Sequence, residues 1–374
     1  MALRERMAEF GAATLSPGAA ARDREQRFSH ELWRACAGAG IQQLALPERY
    51  GGPLPEVNFP RALLAMEGLG YGCAENGLPF ALNASMWTVM TPILAFGTAQ
   101  QKDRYLPASG QGTLIGAHAI TEPGAGSDVA ALRLRAEPVP GGYRLNGTKH
   151  LITLAPVCDY ALVFASTRPD LGSWGVSAFL VDRGTPGFAV GDKQDKLGMR
   201  SVPLGALTFT DCFVPEGARL GREGLGFSIM NHSLEYDRCS ILASQLGAME
   251  RQLEQTIDYA RTREQGGQRI GKYQSVANRI VDMKLRLETS RLLLYKTAWL
   301  KQRGEAALLE AALLKLQLSE AFVASSLDAM RTHGGISYLQ ENGLDRDLRD
   351  AVGGVLYAGT SDIQRNIVAK LLGL

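Results

Sequence analysis

Cysteine is scarce and scattered in this chain. The five residues Cys36, Cys73, Cys158, Cys212 and Cys239 are odd in number and none forms a C-x-x-C pair. That pattern argues against a disulfide framework and against a zinc site, and no metal is expected. An excess of one charge is also missing. A net charge of +2, with acidic and basic residues mixed throughout, is too small to indicate a nucleic-acid or anionic-membrane partner, so neither is expected. No stretch reads as long enough for a transmembrane helix. The opening MALRERMAEFGAATL lacks the unbroken apolar segment of a signal peptide, and a cytoplasmic protein is expected. Internal repeats and low-complexity segments are absent as well.

What the sequence does have is a core. With 374 residues, 45% hydrophobic and 21% charged, it is long enough for two or three domains. Residues 1–112 read as helical: Leu32, Cys36, Ala39 and Ile41 lead to a Pro47–Gly52 turn. A second apolar run from Phe59 to Leu69 ends at Gly70 and Gly72, and a third from Leu82 to Phe96 stops at Gly97. Residues 113–222 change character. Short segments around Tyr143–Asn146, Tyr160–Phe164, Val176–Val181 and Ala206–Thr210, with Gly and Pro between them, carry the signature of a β-barrel or sandwich. From 223 to 374 the helical period returns in long stretches that suggest a bundle. The fold class is therefore α+β: helical domain, small β domain, helical bundle.

The bundle opens with the segment that carries most chemical interest. Leu242, Leu246, Met249, Leu253 and Ile257 recur at helical spacing, and two carboxylates, Glu235 and Asp237, stand upstream on what reads as the same helix. Two residues apart, they point to different sides and cannot act as a pair. Glu235 has polar neighbours. Asp237, beside Ser233, Leu234, Ser240 and Ile241, lies on a semi-apolar face, where a carboxylate is either paired or present for chemistry. Pairing with Arg238, or capping a break in the helix, is the structural alternative.

Three further stretches stand out. In Ala119-Ile120-Thr121-Glu122-Pro123-Gly124-Ala125-Gly126-Ser127-Asp128 the glycines free the backbone for close approach to a ligand, and the hydroxyls and N–H groups suit a phosphate or a flavin edge. It is not the G-x-G-x-x-G of a dinucleotide fold, and a tight turn without ligand fits it too. The second stretch, Asn146-Gly147-Thr148-Lys149-His150-Leu151-Ile152-Thr153, is a turn followed by a strand. In the third, Leu348-Arg349-Asp350-Ala351 continues to Tyr357-Ala358-Gly359-Thr360-Ser361-Asp362-Ile363-Gln364-Arg365. A helix ends near Tyr357, and another starts with Thr360 or Ser361 as its N-cap, an end that favours anionic oxygen.

Together these motifs, in this order and on this α–β–α plan, resemble the acyl-CoA dehydrogenase family over the whole chain. The resemblance implies an N-terminal helical domain, a central β domain and a C-terminal four-helix bundle, with FAD between the last two. It implies cofactor contacts from Ala119, Thr121, Gly126, Ser127, Thr153, Gly335, Thr360 and Asp362. Arg263 and Gln274 would be lent across the interface of a homodimer or homotetramer. The implied reaction is α,β-dehydrogenation of a short or branched acyl thioester, on CoA or a carrier protein, with electrons passed to an electron-transfer acceptor. A carboxylate would remove the α-proton, and hydride would leave to flavin N5. The Ala358 N–H would polarise the thioester oxygen.

Many family members carry a Glu base where Ala358 stands. Matching LEYDRC to the isovaleryl- and long-chain-type enzymes puts Asp237 on their base position, followed by Arg238. Other departures are Leu151 for a flavin-flanking Trp, Gly266 for a Phe, and Arg331 for a cofactor-contacting Gln, which could pair with a phosphate. His232 and His333 read as structural. Loss of the common Glu also leaves open a flavin-dependent monooxygenase or oxidase on this scaffold, or a non-catalytic paralogue.

Overall fold

The computed structural model describes residues 2–374. Helices come first: α1 (Ala2–Phe10), α2 (Ala19–Glu25), α3 (His30–Gly38), α4 (Phe59–Gly72), α5 (Gly77–Ala84), α6 (Thr91–Phe96) and α7 (Ala99–Gly110). Local chemistry sets their starts. Ser29 and Asn58 cap α3 and α4 through their side chains, and Thr98 with Gln101 forms a capping box on α7.

Helix α4 ends at Gly72, one of the two glycines at which the sequence reading ended this run. Gly68, Gly70 and Gly72 are also contact points. A Cβ on Gly70 would collide with the Ser244 carbonyl, and one on Gly68 or Gly72 with the carbonyls of Arg4 or Ala8. The missing side chains let three helices approach closely. The expectation about membrane-length stretches also needs correction. Gly77–Phe96 is a 20-residue run apolar enough to cross a membrane, but 83% of its 18-residue window is buried inside the protein. A π-helical turn over Ser85–Met90 separates α5 from α6 within it.

Strands follow: β1 (Gly116–Ala119), β2 (Arg135–Val139), β3 (Gly142–Thr153), β4 (Tyr160–Ser166), β5 (Val176–Asp182), β6 (Phe188–Val190), β7 (Leu204–Pro215) and β8 (Arg219–Leu220). They form one sheet in the order β6-β7-β3-β2-β4-β5-β8, with β1 parallel to β4. Every residue of β4 is buried, so it reads as a continuous apolar run with no alternation.

The C-terminal part holds α8 (Gly226–Ser240), α9 (Ala243–Thr262), the short hairpin β9 (Glu264–Gln265) and β10 (Gln268–Arg269), α10 (Gln274–Gln302), α11 (Leu308–His333), α12 (Leu344–Gly354) and α13 (Ser361–Leu371). What reads as one helix through residues 235–257 is two, separated at Ile241–Leu242. The Ser240 hydroxyl donates to the Tyr236 carbonyl at 2.9 Å, competing with the helical ladder at that point.

Buried polar contacts join the three parts. Asp350 accepts from the Met199 N–H and from Asn76, tying α12 to the β7-side loop and to the start of α5. Arg349 pairs with Asp23 at 2.7 Å and donates to the Leu197 carbonyl. The Arg-Asp pair at 349–350 is thus a latch between domains. Substituting Gly70→Ala should force α4 away from α9 and destabilise the protein by roughly 1–3 kcal/mol, the usual cost of overpacking; chemical denaturation measures it.

Candidate functional site

The loop after β1 is closed by its own charges. Glu122 is buried and accepts the N–H groups of Arg133 (2.6 Å) and Leu134 (3.0 Å). It also accepts from the Lys149 ammonium at 2.8 Å, which donates in addition to the Ile120 carbonyl at 2.8 Å. Lys149 is fully buried, and burial lowers its pKa to about 8 while Glu122 opposes that shift. Reciprocal N–H···O bonds of 3.1 Å between Glu122 and Ala125 complete a tight turn. This ion pair is what the sequence reading missed, although both residues lie inside the motifs it singled out.

Within that rigid turn, two glycines have no structural reason to be glycine. Neither Gly124 nor Gly126 has a positive φ, and a Cβ on either would meet nothing within 4 Å. The space above them is open, as a cradle for a ligand's anionic or ring edge requires. Ser127 is exposed beside them, and Thr121 is half-buried with its carbonyl accepting from His150 N–H at 2.7 Å. Ala119 is fully buried, main chain included, and presents no surface to this open space. The other residues fit FAD as the occupant.

The same hydrogen bond brings β3 alongside the loop. Pairing of β3 with β7 slips between Lys149 and Ile152, and Leu151 and Leu154 take positive φ values of 56° and 67°. Strained, bulged backbone thus flanks Thr153, which is half-buried. Leu151 stands 52% exposed, presenting an apolar side chain where the sequence comparison expected an indole.

Helix α8 meets this edge directly. His118 of β1 hydrogen-bonds the Ser233 hydroxyl at 3.0 Å, and Ser233 lies one turn before Asp237 on the same face. Burial lowers the His118 pKa to about 3. Asp237 is 7% exposed, and among the described residues no cationic nitrogen lies within 4.0 Å of its carboxylate. Arg238 is therefore not its partner, and the buried Arg238 Nε has no acceptor. Desolvation raises the Asp237 pKa to about 7, with Arg238 and Lys315 acting in the opposite sense. Glu235, by contrast, is neutralised by Lys301 at 2.9 Å.

Opposite Asp237 lies the turn after α12. The Tyr357 hydroxyl accepts from Gln245 at 2.9 Å and feels the Asp237 charge. Ala358 holds a left-handed φ of 54°, which fixes the direction of its N–H. Thr360 caps α13, accepting from the Ile363 N–H at 3.2 Å. Asp362 is exposed and paired with Arg365.

A second group of expected cofactor residues lies elsewhere. Arg263, at the end of α9, and Gln274, at the start of α10, are exposed, and so is Gly335 beyond α11. Gly266 and Gly267, with φ of 58° and 79°, form the two-residue turn between β9 and β10, which accounts for glycine there. The Tyr273 hydroxyl occupies the space a Gly266 side chain would need. Arg331 pairs with Asp328 at 3.3 Å. His333 is stacked on Tyr259 and bonded to the Ala329 carbonyl, while His232 packs between Phe96 and Tyr236.

The chain matches three consecutive family models: Acyl-CoA dehydrogenase, N-terminal domain (residues 1–113), middle domain (117–212) and C-terminal domain (224–373). It is 43% identical over 348 residues, 93% of this chain and 91% of the relative, to an L-prolyl-[peptidyl-carrier protein] dehydrogenase of Pseudomonas fluorescens. The crystal structure of the prolyl acyl carrier protein oxidase AnaB superposes with a TM-score of 0.98 at 43% identity, covering 100% of this chain and 98% of that one. PigA with FAD and proline gives a TM-score of 0.97 at 40% identity, covering 100% and 97%.

Two outcomes follow from the geometry. Gly126→Val should leave the melting temperature of the flavin-free protein within about a degree of wild type yet weaken FAD retention at least tenfold, read by flavin fluorescence titration. His118, held neutral, contributes stability that is complete above about pH 6.5 and is lost as pH falls toward about 3. His118→Gln should therefore flatten the decline in melting temperature between pH 6.5 and 4.

Proposed function

The chain belongs to the acyl-CoA dehydrogenase family, and from that premise we propose that it desaturates the α,β bond of an acyl thioester with Asp237 as the base. The observation that carries this reading is a carboxylate buried beside the β-domain motifs with no ion-pair partner. FAD, when bound, supplies the oxidant by taking up the β-hydrogen as hydride at N5. The 119–127 loop, clamped by Glu122 and Lys149, holds that group with main-chain donors and the hydroxyls of Thr121 and Ser127. Thr153, at the end of β3, would contribute its hydroxyl to the same cofactor.

Asp237 takes the proton from the α-carbon. Burial raises its pKa to about 7, so a large fraction is ionised at neutral pH and the carboxylate is a stronger proton acceptor than an ordinary Asp. The Ala358 N–H donates to the thioester oxygen, which acidifies the α-carbon. Arg238, next to Asp237 on α8, adds positive potential.

The carrier we favour is a phosphopantetheine arm of a carrier protein and the acyl group prolyl. Similarity to a prolyl carrier-protein dehydrogenase and to a prolyl carrier-protein oxidase supports that choice. We further propose a homodimer or homotetramer built on α10, where Val281, Leu285, Leu292 and Trp299 are all more than half exposed on one helix. Arg263 and Gln274 flank the start of that helix, ready to reach a partner's cofactor. Five buried free thiols are compatible with a cytoplasmic setting, and the reduced flavin would pass its electrons to an external acceptor.

Anaerobic mixing with a prolyl-carrier protein, and separately with prolyl- and butyryl-CoA, tests the reading. The flavin should bleach with the carrier-bound thioester at a rate that rises with pH through an inflection near about 7. Asp237→Asn should keep the cofactor and slow bleaching by roughly 10²–10⁴-fold, the usual contribution of a general base. Wild-type bleaching rates in that variant would end the assignment.

A further inference from the structure

Lys315 is the one charged residue in the apolar run Ala311-Ala312-Leu313-Leu314-Lys315-Leu316-Gln317-Leu318 of α11. It is fully buried, and its ammonium has no hydrogen-bond acceptor. A buried ammonium without an acceptor is strongly disfavoured unless another charge compensates it. Its surroundings show which charge that is. Across the α8–α11 contact lies Asp237, which attracts it; Arg238 repels it from the same helix. Glu320, on its own helix and half-exposed, is paired outward with Arg365 at 3.7 Å. From the turn after α12 the Tyr357 ring faces the ammonium at 5.9 Å, and the Tyr357 hydroxyl is engaged with Gln245.

Asp237 presents the complementary picture. Its neighbours are Arg238 on α8, Lys315 on α11 and the Tyr357 phenol, while Glu235 is held away by Lys301 on α10. Neither charged group touches the other, yet each feels the other from the facing helix and neither has an ion pair of its own. Resting on the reading of Asp237 as base, we propose that Lys315 is a positioning residue, the counter-charge on the facing helix that holds the Asp237 carboxylate ready between α8 and the Ala358 turn. A direct salt bridge would occupy the carboxylate's lone pairs and blunt it as a proton acceptor. A cation at a stand-off distance favours the charged form and leaves the oxygens free. Each group shifts as this arrangement requires: burial drives Asp237 up and Lys315 down to about 8, and each opposes the other's shift.

The test uses the holoenzyme with FAD bound. Wild type, Lys315→Met and Lys315→Arg are mixed anaerobically with the prolyl-carrier protein, and the flavin-reduction rate is followed from about pH 6 to about pH 9.5. Removing a nearby cation weakens the hold on the ionised carboxylate, so the inflection in Lys315→Met should move upward by about one pH unit or more. Its rate above the inflection should return to within about threefold of wild type. Lys315→Arg should keep the wild-type inflection. An unmoved inflection in Lys315→Met, with the rate lowered equally at every pH, would overturn the proposal and leave Lys315 a packing residue. Should Lys315→Met lose its flavin, Lys315→Gln is read in the same way, and loss of flavin in both also counts against the proposal. The base assignment is tested apart: bleaching of Asp237→Asn at the wild-type rate removes that reading, whereas an inactive Asp237→Asn beside an unmoved Lys315→Met inflection removes only the role of Lys315.

Discussion

A charge taken out of water must be answered by another charge or by hydrogen bonds, and the protein answers its buried charges in two ways. Where rigidity is needed, the answer is contact. Glu122 and Lys149 meet at 2.8 Å with three main-chain groups completing their shells, and Glu67 collects Arg4, Arg291 and the Tyr295 hydroxyl between α1, α4 and α10. At Asp237, the proposed base, contact is withheld. Asp237 is buried among cations that feel its charge without binding it, and burial raises its proton affinity against their pull.

The sheet and the bundle are brought together around that carboxylate by a few polar contacts. His118 reaches Ser233 one turn before Asp237, Asp350 accepts the Met199 N–H, and Gln245 holds Tyr357 just before the Ala358 turn. Each contact crosses between elements far apart in sequence. The glycine-rich loop is thereby held against β3, whose Lys149 carries one of the buried charges, while β1 is tied to α8.

Much of this was readable from residues alone. Helical and strand periods gave the α–β–α plan, and the face argument for Asp237 placed it on the half of α8 that turns inward. Three features were not readable. The contact role of the α4 glycines was hidden because a sequence cannot show the Ser244 carbonyl lying against Gly70. The break at Ile241–Leu242 was hidden because hydrophobic period persists across it. Lys149, Glu122 and Lys315 drew no attention since their partners are distant in the chain; a lone charge in the run from Ala311 to Leu318 was the available clue to the last.

The interruption between α8 and α9 also bears on how so short an acid could serve as the proposed base. An Asp reaches about 1.5 Å less far than a Glu, one carbon–carbon bond. In an unbroken rod, advancing one side chain by that amount would drag the whole length of α9 and everything docked on it. Ending the first segment three residues past the acid uncouples the two, so the final turn of α8 can settle nearer the cleft while α9 keeps its place against α4. Reach at this site is a property of where the main chain halts as much as of the number of methylenes it carries.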